Sequence, residues 1–324
     1  MANLFDVQEA DTILSAATGG MIYVVRDSAK MPNFFYRIPK FHMRTFSDDF
    51  DMMHPAFVTE NGEIPEFYVG QFIASSEFDR AQSLPNKAPA TDLTIEEARQ
   101  LCKNKGDGFH LMNVWEYSAM SLWLAHLEAD NIEGNTNYGR SHLNDKEGVR
   151  VDRRSATDPI GEAVTFTGTG ARQWRTGHHV GGITDLVGNV WEMLDGAFVE
   201  NGEMFLSQYN PIYQTKPEDF LNPDIYMKEA LMPPADGVPF TDVNWDSQEE
   251  EIKHKVAGLE VDARLPSKNW DGYVYHSLSE TKQFIAKGGD FSTGDESGLG
   301  AIRCFAEESK SKRFGFRLAY IKPQ

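Results

Sequence analysis

Cysteine is scarce in this chain, and long apolar runs are absent. The two cysteines among 324 residues, Cys102 and Cys304, cannot form a disulfide framework. They leave one long-range bridge or two unpaired core thiols, and the second is expected in a chain made in the cytoplasm. No apolar run has the length of a membrane span, so no membrane insertion is expected. The residues after Met1 show no basic segment followed by an apolar core, so no signal peptide is expected.

Basic residues are also few. The 31 Lys and Arg stand against 49 Asp and Glu, which gives a formal net charge of −18. Because phosphate contacts need Lys and Arg, this balance argues against nucleic acid or an anionic membrane surface as a partner. The length suffices for one large domain or two small ones with a sizeable core.

The common catalytic and metal motifs are missing as well. Of the nine histidines, no two stand three or four residues apart, so the usual helical metal pair is absent. The tandem pair His178-His179 is interpreted as a loop feature. No Gly-x-Ser-x-Gly elbow and no phosphate-binding loop occur.

The first 54 residues differ in pattern from the rest. Residues Ala10–Ala17 favour a short helix, Met21–Val25 a strand, and Pro32–Pro39 an extended aromatic segment. Two interpretations stay open: an N-terminal strand of the main domain, or an arm that packs on a neighbouring subunit. Residues 1–54 are accordingly treated as an N-terminal arm or small subdomain, and 55–324 as the main domain.

The main domain begins with clear element signals. Residues Phe67–Ile73 predict a strand, and Thr94 with Glu97 forms a capping box at the start of a helix. Cys102 falls on the apolar face of that helix and is expected in the core. A second helix is predicted from about Asn113 to Leu127.

Two long stretches lack this periodicity. Residues 134–175 are rich in Gly, Asn, Asp, Ser and Thr, which predicts a long loop ordered by turns. Residues 200–283 hold several prolines and an acidic run, and we interpret them as an insertion that partly folds on itself.

Three segments, in this order, carry a resemblance: Gly108–Tyr117, Gly182–Glu192 and Arg313–Tyr320. They resemble the formylglycine-generating-enzyme (sulfatase-modifying-factor) superfamily. The resemblance extends from about Pro55 to Tyr320. It implies an α+β protein of C-type-lectin-like fold, with long irregular loops and a large insertion. Function stays open, because a fold of this kind hosts both enzymes and binding proteins.

The second segment implies a metal site. In formylglycine-generating enzymes the matching loop holds a calcium ion. The implied ligands here are the side chains of Asp185 and Glu192 and the backbone carbonyls of Gly188 and Val190. Calcium prefers several hard oxygen ligands, which such a loop can supply. The alternative is that Asn189, Trp191 and Glu192 only fix the loop to the core by hydrogen bonds and ring burial.

The catalytic groups of the enzymes are not matched. The copper-dependent branch uses two thiolates five residues apart, whereas no cysteine lies between Ile285 and Arg303 and Cys304 has no neighbour. The iron-dependent branch needs a His-x-x-x-His-x-Glu helix, which is absent. We therefore expect neither copper nor iron and no enzyme activity. A metal-dependent oxidoreductase of this superfamily is the alternative.

The C-terminal segment from Gly288 to Arg317 resembles another branch of this fold. Variable proteins of diversity-generating retroelements, including phage tail receptor-binding proteins, place a hypervariable surface before a closing Gly-Phe-Arg. The resemblance implies a non-catalytic phage or prophage tail protein, in the virion or in the cytoplasm before assembly. Its partner would be a host receptor or another protein or glycan ligand, and avidity favours a homotrimer. The expected ligand-binding residues are Asp290, Ser292, Thr293, Asp295, Glu296, Arg303, Phe305, Lys310 and Arg313.

Two alternatives to diversified binding remain. Retroelement mutagenesis of Asn codons cannot produce Glu296 or Lys310, so either these are fixed or no mutagenesis operates. In an ordinary domain the segment would alternate core and surface residues, with Leu299, Ile302, Phe314 and Phe316 inward. A purely structural virion subunit would bury the 290–313 face against another protein.

Overall fold

The computed structural model describes residues 7–48, 50–156, 158–201, 203–207, 210, 220–221, 238–239, 273–275 and 282–323. Its α-helices are α1 (Val7–Ala17), α2 (Ile95–Lys103) and α3 (Val114–His126). Its strands are β1 (Ile22–Arg26), β2 (Pro32–Pro39), β3 (Val58–Thr59), β4 (Gly62–Glu63), β5 (Glu66–Gly70), β6 (Ser75–Glu77), β7 (Arg80–Gln82), β8 (Phe109–Leu111), β9 (Trp191–Glu200), β10 (Glu203–Ser207), β11 (Phe220–Leu221), β12 (Val238–Pro239), β13 (Tyr273–Tyr275), β14 (Gln283–Gly288), β15 (Gly298–Ala306), β16 (Phe314–Phe316) and β17 (Leu318–Tyr320).

Two sheets organise the described part of the chain. The first has the strand order β1-β2-β5-β17-β8, and all its neighbours are antiparallel. The second has the order β11-β10-β9-β14-β15-β13-β12, with β16 added parallel to β9. This mixture of extensive sheets and few helices agrees with the expected α+β class.

The closing segment of the chain joins the two sheets. Strand β16 pairs with β9 in the second sheet, and β17 pairs with β5 and β8 in the first. Arg317 lies between β16 and β17, at the point where the chain crosses from one sheet to the other. Phe316 and Leu318 are both buried on either side of it. The crossing therefore lies in the core, where a fixed sequence is required.

The N-terminal strands belong to the first sheet. Strand β2 covers the segment that the sequence predicts to be extended, and it pairs with β5 from Phe35 to Pro39. The buried ammonium of Lys105 is 3.0 Å from the carboxylate of Asp27, which ties the same region to the end of α2. These contacts place β1 and β2 in the same sheet as β5, and the division of the chain at residue 54 stays a prediction.

Helices α2 and α3 begin as capping chemistry dictates. The hydroxyl of Thr94 accepts from the backbone N–H of Glu97, and the carboxylate of Glu97 accepts from that of Thr94. Asn113 and Glu116 form the same reciprocal pair at the start of α3, where the sequence shows an equally readable signal. The predicted boundaries of α3 are confirmed to within one residue at each end. Cys102 is fully buried on α2, as predicted.

The two aperiodic stretches differ in how much of them is described. Residues 134–156 and 158–175 contain a single short 3-10 helix, Arg172–Trp174, and are ordered by turns and isolated bridges, as predicted. Of the predicted insertion, β10 to β13 lie in the second sheet. The rest of the prediction for 200–283 falls almost entirely outside the described residues.

Candidate functional site

Two glycines begin the C-terminal segment, and the backbone requires both. Gly288 and Gly289 have φ values of +98° and +95°. A Cβ on Gly288 would lie 2.7 Å from the carbonyl oxygen of Leu186, and one on Gly289 would lie 2.5 Å from Oγ of Ser297. The chain therefore leaves β14 through a tight turn that larger residues cannot adopt.

The turn that follows is held by its own polar side chains. One carboxylate oxygen of Asp290 accepts from the backbone N–H and the hydroxyl of Ser292, both at 2.7 Å. The hydroxyl of Thr293 accepts from the backbone N–H of Asp290 at 2.8 Å. Asp290 is only 1% exposed. The expectation that Asp290 lies on the exposed face is thus wrong, because its side chain closes the turn from inside.

Phe305 also differs from the expectation of an exposed aromatic. It is 5% exposed, and its ring lies 4.9 Å from that of Phe314 and 6.2 Å from that of Phe284, measured between centroids. The side chain is therefore part of the core. Leu299, Ile302, Phe314 and Phe316 are buried as the alternating pattern predicts.

Arg303 and Glu296 lie beside Tyr275 at the rim of this segment. The guanidinium of Arg303 is 5.7 Å from the centre of the Tyr275 ring. Burial lowers the pKa of Arg303, opposed by the charge of Asp290. The Tyr275 hydroxyl donates to the Glu296 carboxylate. Both side chains are half-buried, so they border the face rather than project from it.

The most outward members of the predicted set are Asp295, Lys310 and Arg313. All three are exposed, and they lie on the two turns that flank β15. Lys310 pairs with Glu97 at 2.7 Å, so this turn contacts the start of α2. The guanidinium of Arg313 lies 3.7 Å from the Asp290 carboxylate and 5.7 Å from the centre of the Phe291 ring. The structure thus brings Arg313 next to Asp290, whereas Lys310 lies beside the start of α2 and Phe305 lies in the core.

The loop before β9 is buried throughout. Asn189 has a φ of +67°, and its side-chain oxygen accepts from the backbone N–H of Thr165 at 2.8 Å and from the side-chain amide of Asn135 at 3.1 Å. A Cβ on Gly188 would lie 2.3 Å from the carbonyl oxygen of Asn135. Hydrogen bonds of this kind are expected if the loop is held to the core by its own side chains and not by a calcium ion. Asn135 was not among the expected site residues, because it lies in the aperiodic loop.

Arg317 is the charged centre beneath this loop. Its guanidinium donates to both carboxylate oxygens of Glu192, at 2.8 and 2.5 Å, and to the carbonyl oxygens of Gly70 and Thr184, each at 2.9 Å. The Arg317 side chain is fully buried. The sequence pattern does not reveal this role, although Arg317 is part of the closing Gly-Phe-Arg motif.

The predicted calcium ligands fit a cation in part. One oxygen of Asp185 accepts from the backbone N–H of Gly168 at 3.0 Å, and the other is buried with no hydrogen bond to any described residue. Burial raises the pKa of Asp185 and of Glu192, and the charge of Arg317 opposes both shifts. Arg317 pairs with Glu192, and the charges of Arg317 and Arg175 both act on Asp185. To bind calcium, Glu192 would have to share its carboxylate oxygens between the ion and the Arg317 guanidinium.

The predicted calcium site holds fewer acidic side chains than a cluster of metal ligands would. Among the residues that the structure describes, no three His, Cys, Asp or Glu side chains lie together as a metal site would require. The implied calcium site needs only two carboxylates, with backbone carbonyls completing the set. Calcium binding therefore stays a prediction.

Both thiols are protonated at neutral pH. Burial raises the pKa of Cys102 well above its usual range and that of Cys304 to about 12. A nucleophilic or metal-binding cysteine needs a thiolate. Neither cysteine has the environment that would produce one.

Comparison with known proteins finds matches among solved structures. No protein-family model matches the chain, and no curated protein matches it. Variable protein 1 of Treponema denticola is a solved structure that is 10% identical, with a TM-score of 0.36. The match covers 92% of this chain and 98% of that protein. A likeness this weak carries no inference about function. The resemblance to the formylglycine-generating-enzyme superfamily therefore rests only on the segments Gly108–Tyr117, Gly182–Glu192 and Arg313–Tyr320.

The helices give one further finding. No helix in the described part of the chain has the length and apolar character to cross a bilayer.

Proposed function

We propose that the protein is a non-catalytic ligand-binding protein of C-type-lectin-like fold, with a binding face on its C-terminal segment. The supporting observation is that the exposed side chains lie on turns whose ends are buried. Asp295 projects from a turn between buried Asp290 and buried Ser297. Lys310 and Arg313 project from a turn between buried Phe305 and Phe314. Such side chains can change at little cost to folding, because both ends of each turn are fixed in the core.

The partner and setting follow from the layout of residues 288–317. We propose a phage or prophage tail protein that binds a host cell-surface receptor, with diversification of the face by a retroelement. Each contact of such a face is weak, so a homotrimer would add avidity. A near-copy of the coding stretch for residues 285–320 beside a reverse-transcriptase gene would support diversification. A purely structural virion subunit would lack that copy.

Calcium belongs to the same proposal. It would bind between Asp185 and Glu192, behind the face, since Gly188 donates its backbone N–H to the Gly288 carbonyl at 3.0 Å. Its role would be to fix the backbone from which the face begins.

The test uses a display library and a defined probe. Asp295, Lys310, Arg313 and the exposed residues 306–308 are randomised together, and the library is selected against hen-egg lysozyme. A matched library randomises six exposed residues elsewhere on the chain, namely Lys40, Arg44, Asp51, Glu60, Asn61 and Glu63. We expect folded lysozyme binders from the first library only. The absence of binders there, or equal yields from both libraries, would overturn the proposal.

A further inference from the structure

A buried histidine lies in the edge strand β8 of the first sheet. His110 is the middle residue of β8 and is 6% exposed. Its Nδ1 lies 3.0 Å from the carbonyl oxygen of Gly108, and its Nε2 lies 2.7 Å from a carboxylate oxygen of Glu116. A carbonyl oxygen only accepts hydrogen bonds, so Nδ1 must carry a proton.

The fully buried carboxylate of Glu116 accepts hydrogen bonds on both of its oxygens. One accepts from the backbone N–H of Asn113 at 3.2 Å, and the one that faces His110 accepts from the side-chain amide of Asn210 at 3.2 Å. The orientation of that amide is fixed, because its nitrogen also lies 2.6 Å from the carbonyl oxygen of Ala56. Imidazole is ordinarily more basic than a carboxylate, so the proton between the two side chains resides on His110. The pair is therefore a buried imidazolium and carboxylate.

Charged groups of α2 and β9 also act on this pair. Arg99 of α2 donates to both carboxylate oxygens of Asp195 in β9, at 3.0 and 2.8 Å. Strand β17 places an uncharged alanine opposite His110. Burial alone lowers the pKa of His110, whereas the charge and the hydrogen bond of Glu116, a backbone carbonyl and the charge of Asp195 raise it. The net result is a pKa above the usual value of 6.5.

The start of α3 anchors the chain at the end of β10 and beyond it. The indole N–H of Trp115 donates to the carbonyl oxygen of Ser207 at 2.9 Å, and the side-chain amide of Asn113 donates to the side-chain oxygen of Asn210 at 2.7 Å. Asn210 also shares the carboxylate oxygen of Glu116 with the imidazolium. If the imidazolium loses its proton, this carboxylate stays buried without a positive partner, which strongly destabilises its surroundings.

We propose that the His110–Glu116 ion pair is a pH-sensitive latch, which fixes Asn210 to the start of α3 while His110 is protonated and releases it at alkaline pH. The direction follows from linkage. Because the pKa of His110 is raised in the folded chain, its contribution to stability is complete below 6.5 and is lost as the pH rises through the folded-state value. The latch goes beyond the proposed function, since these residues are not part of the binding face.

Nitrogen NMR of the imidazole rings is the first test. At neutral pH both ring nitrogens of His110 should carry protons, and the titration midpoint should lie above 6.5. The variant His110→Gln assigns the signal by removing it. A bare ring nitrogen at neutral pH, or a midpoint at or below 6.5, would overturn the latch.

Hydrogen exchange measures the release itself. The backbone N–H of Asn210 donates to the carbonyl oxygen of Val58 at 2.8 Å, and that of Trp191 donates to the carbonyl oxygen of Arg313 at the same distance. As the pH rises through the midpoint of His110, the protection factor of the Asn210 amide should fall about tenfold or more. The Trp191 amide is the internal reference and should keep its protection factor.

Two matched variants remove a carboxylate beside a histidine. Glu116→Gln should lower the titration midpoint of His110 and should reduce protection of the Asn210 amide already at neutral pH. Asp51→Asn is the control, because Asp51 lies 3.7 Å from His42 in an exposed pair. It should leave both readouts at His110 and Asn210 unchanged.

The latch and the binding face fail separately. A constant protection factor at Asn210 while His110 titrates would mean that the ion pair holds nothing in place, and the latch would be overturned. If Glu116→Gln does not fold, the titration and the exchange profile of the unmodified chain still decide. None of these outcomes alters the selection against lysozyme, which tests the binding face alone.

Discussion

The loop at 185–192 and the turn at 289–297 pack against each other, yet they use polar residues in opposite ways. In the loop, Asp185, Asn189 and Glu192 are all buried and bond inward. In the turn, Asp290 and Ser297 are buried while Asp295 faces solvent. Val190 of the loop and Phe291 of the turn belong to one small apolar cluster. The loop at 185–192 is thus fully buried, whereas the turn at 289–297, which packs on the same apolar cluster, is partly exposed.

The difference shows what each segment can tolerate. Removing the partner of a buried polar group costs the full desolvation free energy of the group that is left unpaired. An exposed one is solvated by water whether or not a protein partner is present. Substitutions in the loop should therefore act on stability, and substitutions at the outward positions of the turn should act on binding.

The largest effect is expected at Arg317. Replacing it by Met removes the guanidinium that four acceptors share and leaves the Glu192 carboxylate buried without its partner. Breaking a buried ion pair in this way costs about 3–5 kcal/mol. Urea unfolding should show this loss of free energy. Arg313→Met is the matched control, and because Arg313 is exposed its effect should stay within about 0.5 kcal/mol. Similar losses in both variants would contradict the contrast between the two segments.

The sequence predicted more of the scaffold than of the site. The capping box at Thr94 located α2, the predicted helix from about Asn113 to Leu127 agrees with α3, and the position of Pro32–Pro39 as an extended segment is confirmed. These signals are local. Phe305 was placed outside wrongly, since its burial depends on Phe284 and Phe314 meeting it across the sheet. Arg150 carries no pattern of its own. Its buried guanidinium donates to the carbonyl oxygens of Tyr138, Ser155, Asp158 and Ile160, in a loop that has no periodicity.

A smaller effect is expected from calcium. An ion that binds only the folded chain stabilises by mass action, about 2.7 kcal/mol at a free concentration one hundred times its Kd. Chelator should therefore lower the melting temperature, and Asp185→Asn should remove that response. Asp295→Asn removes the same charge from the exposed turn and should leave the response intact. An unchanged melting temperature on chelation would mean that Arg317 and Asn189 fix the loop without an ion.

The smallest effect separates two aspartates of the same turn. Asp290→Ala removes an acceptor of two hydrogen bonds from Ser292, each worth about 0.5–1.5 kcal/mol, so the free energy of unfolding should fall by about 1–3 kcal/mol. Asp295→Ala should change it by less than about 0.5 kcal/mol, because its side chain is exposed. In a lysozyme binder whose selected sequence retains Asp295, the same substitution should weaken binding. Asp290→Ala should weaken binding only as far as it loosens the turn, which hydrogen exchange at residues 290–297 would reveal. Equal losses of stability from both variants would mean that the turn has no outward side, and its place in a binding face would be lost.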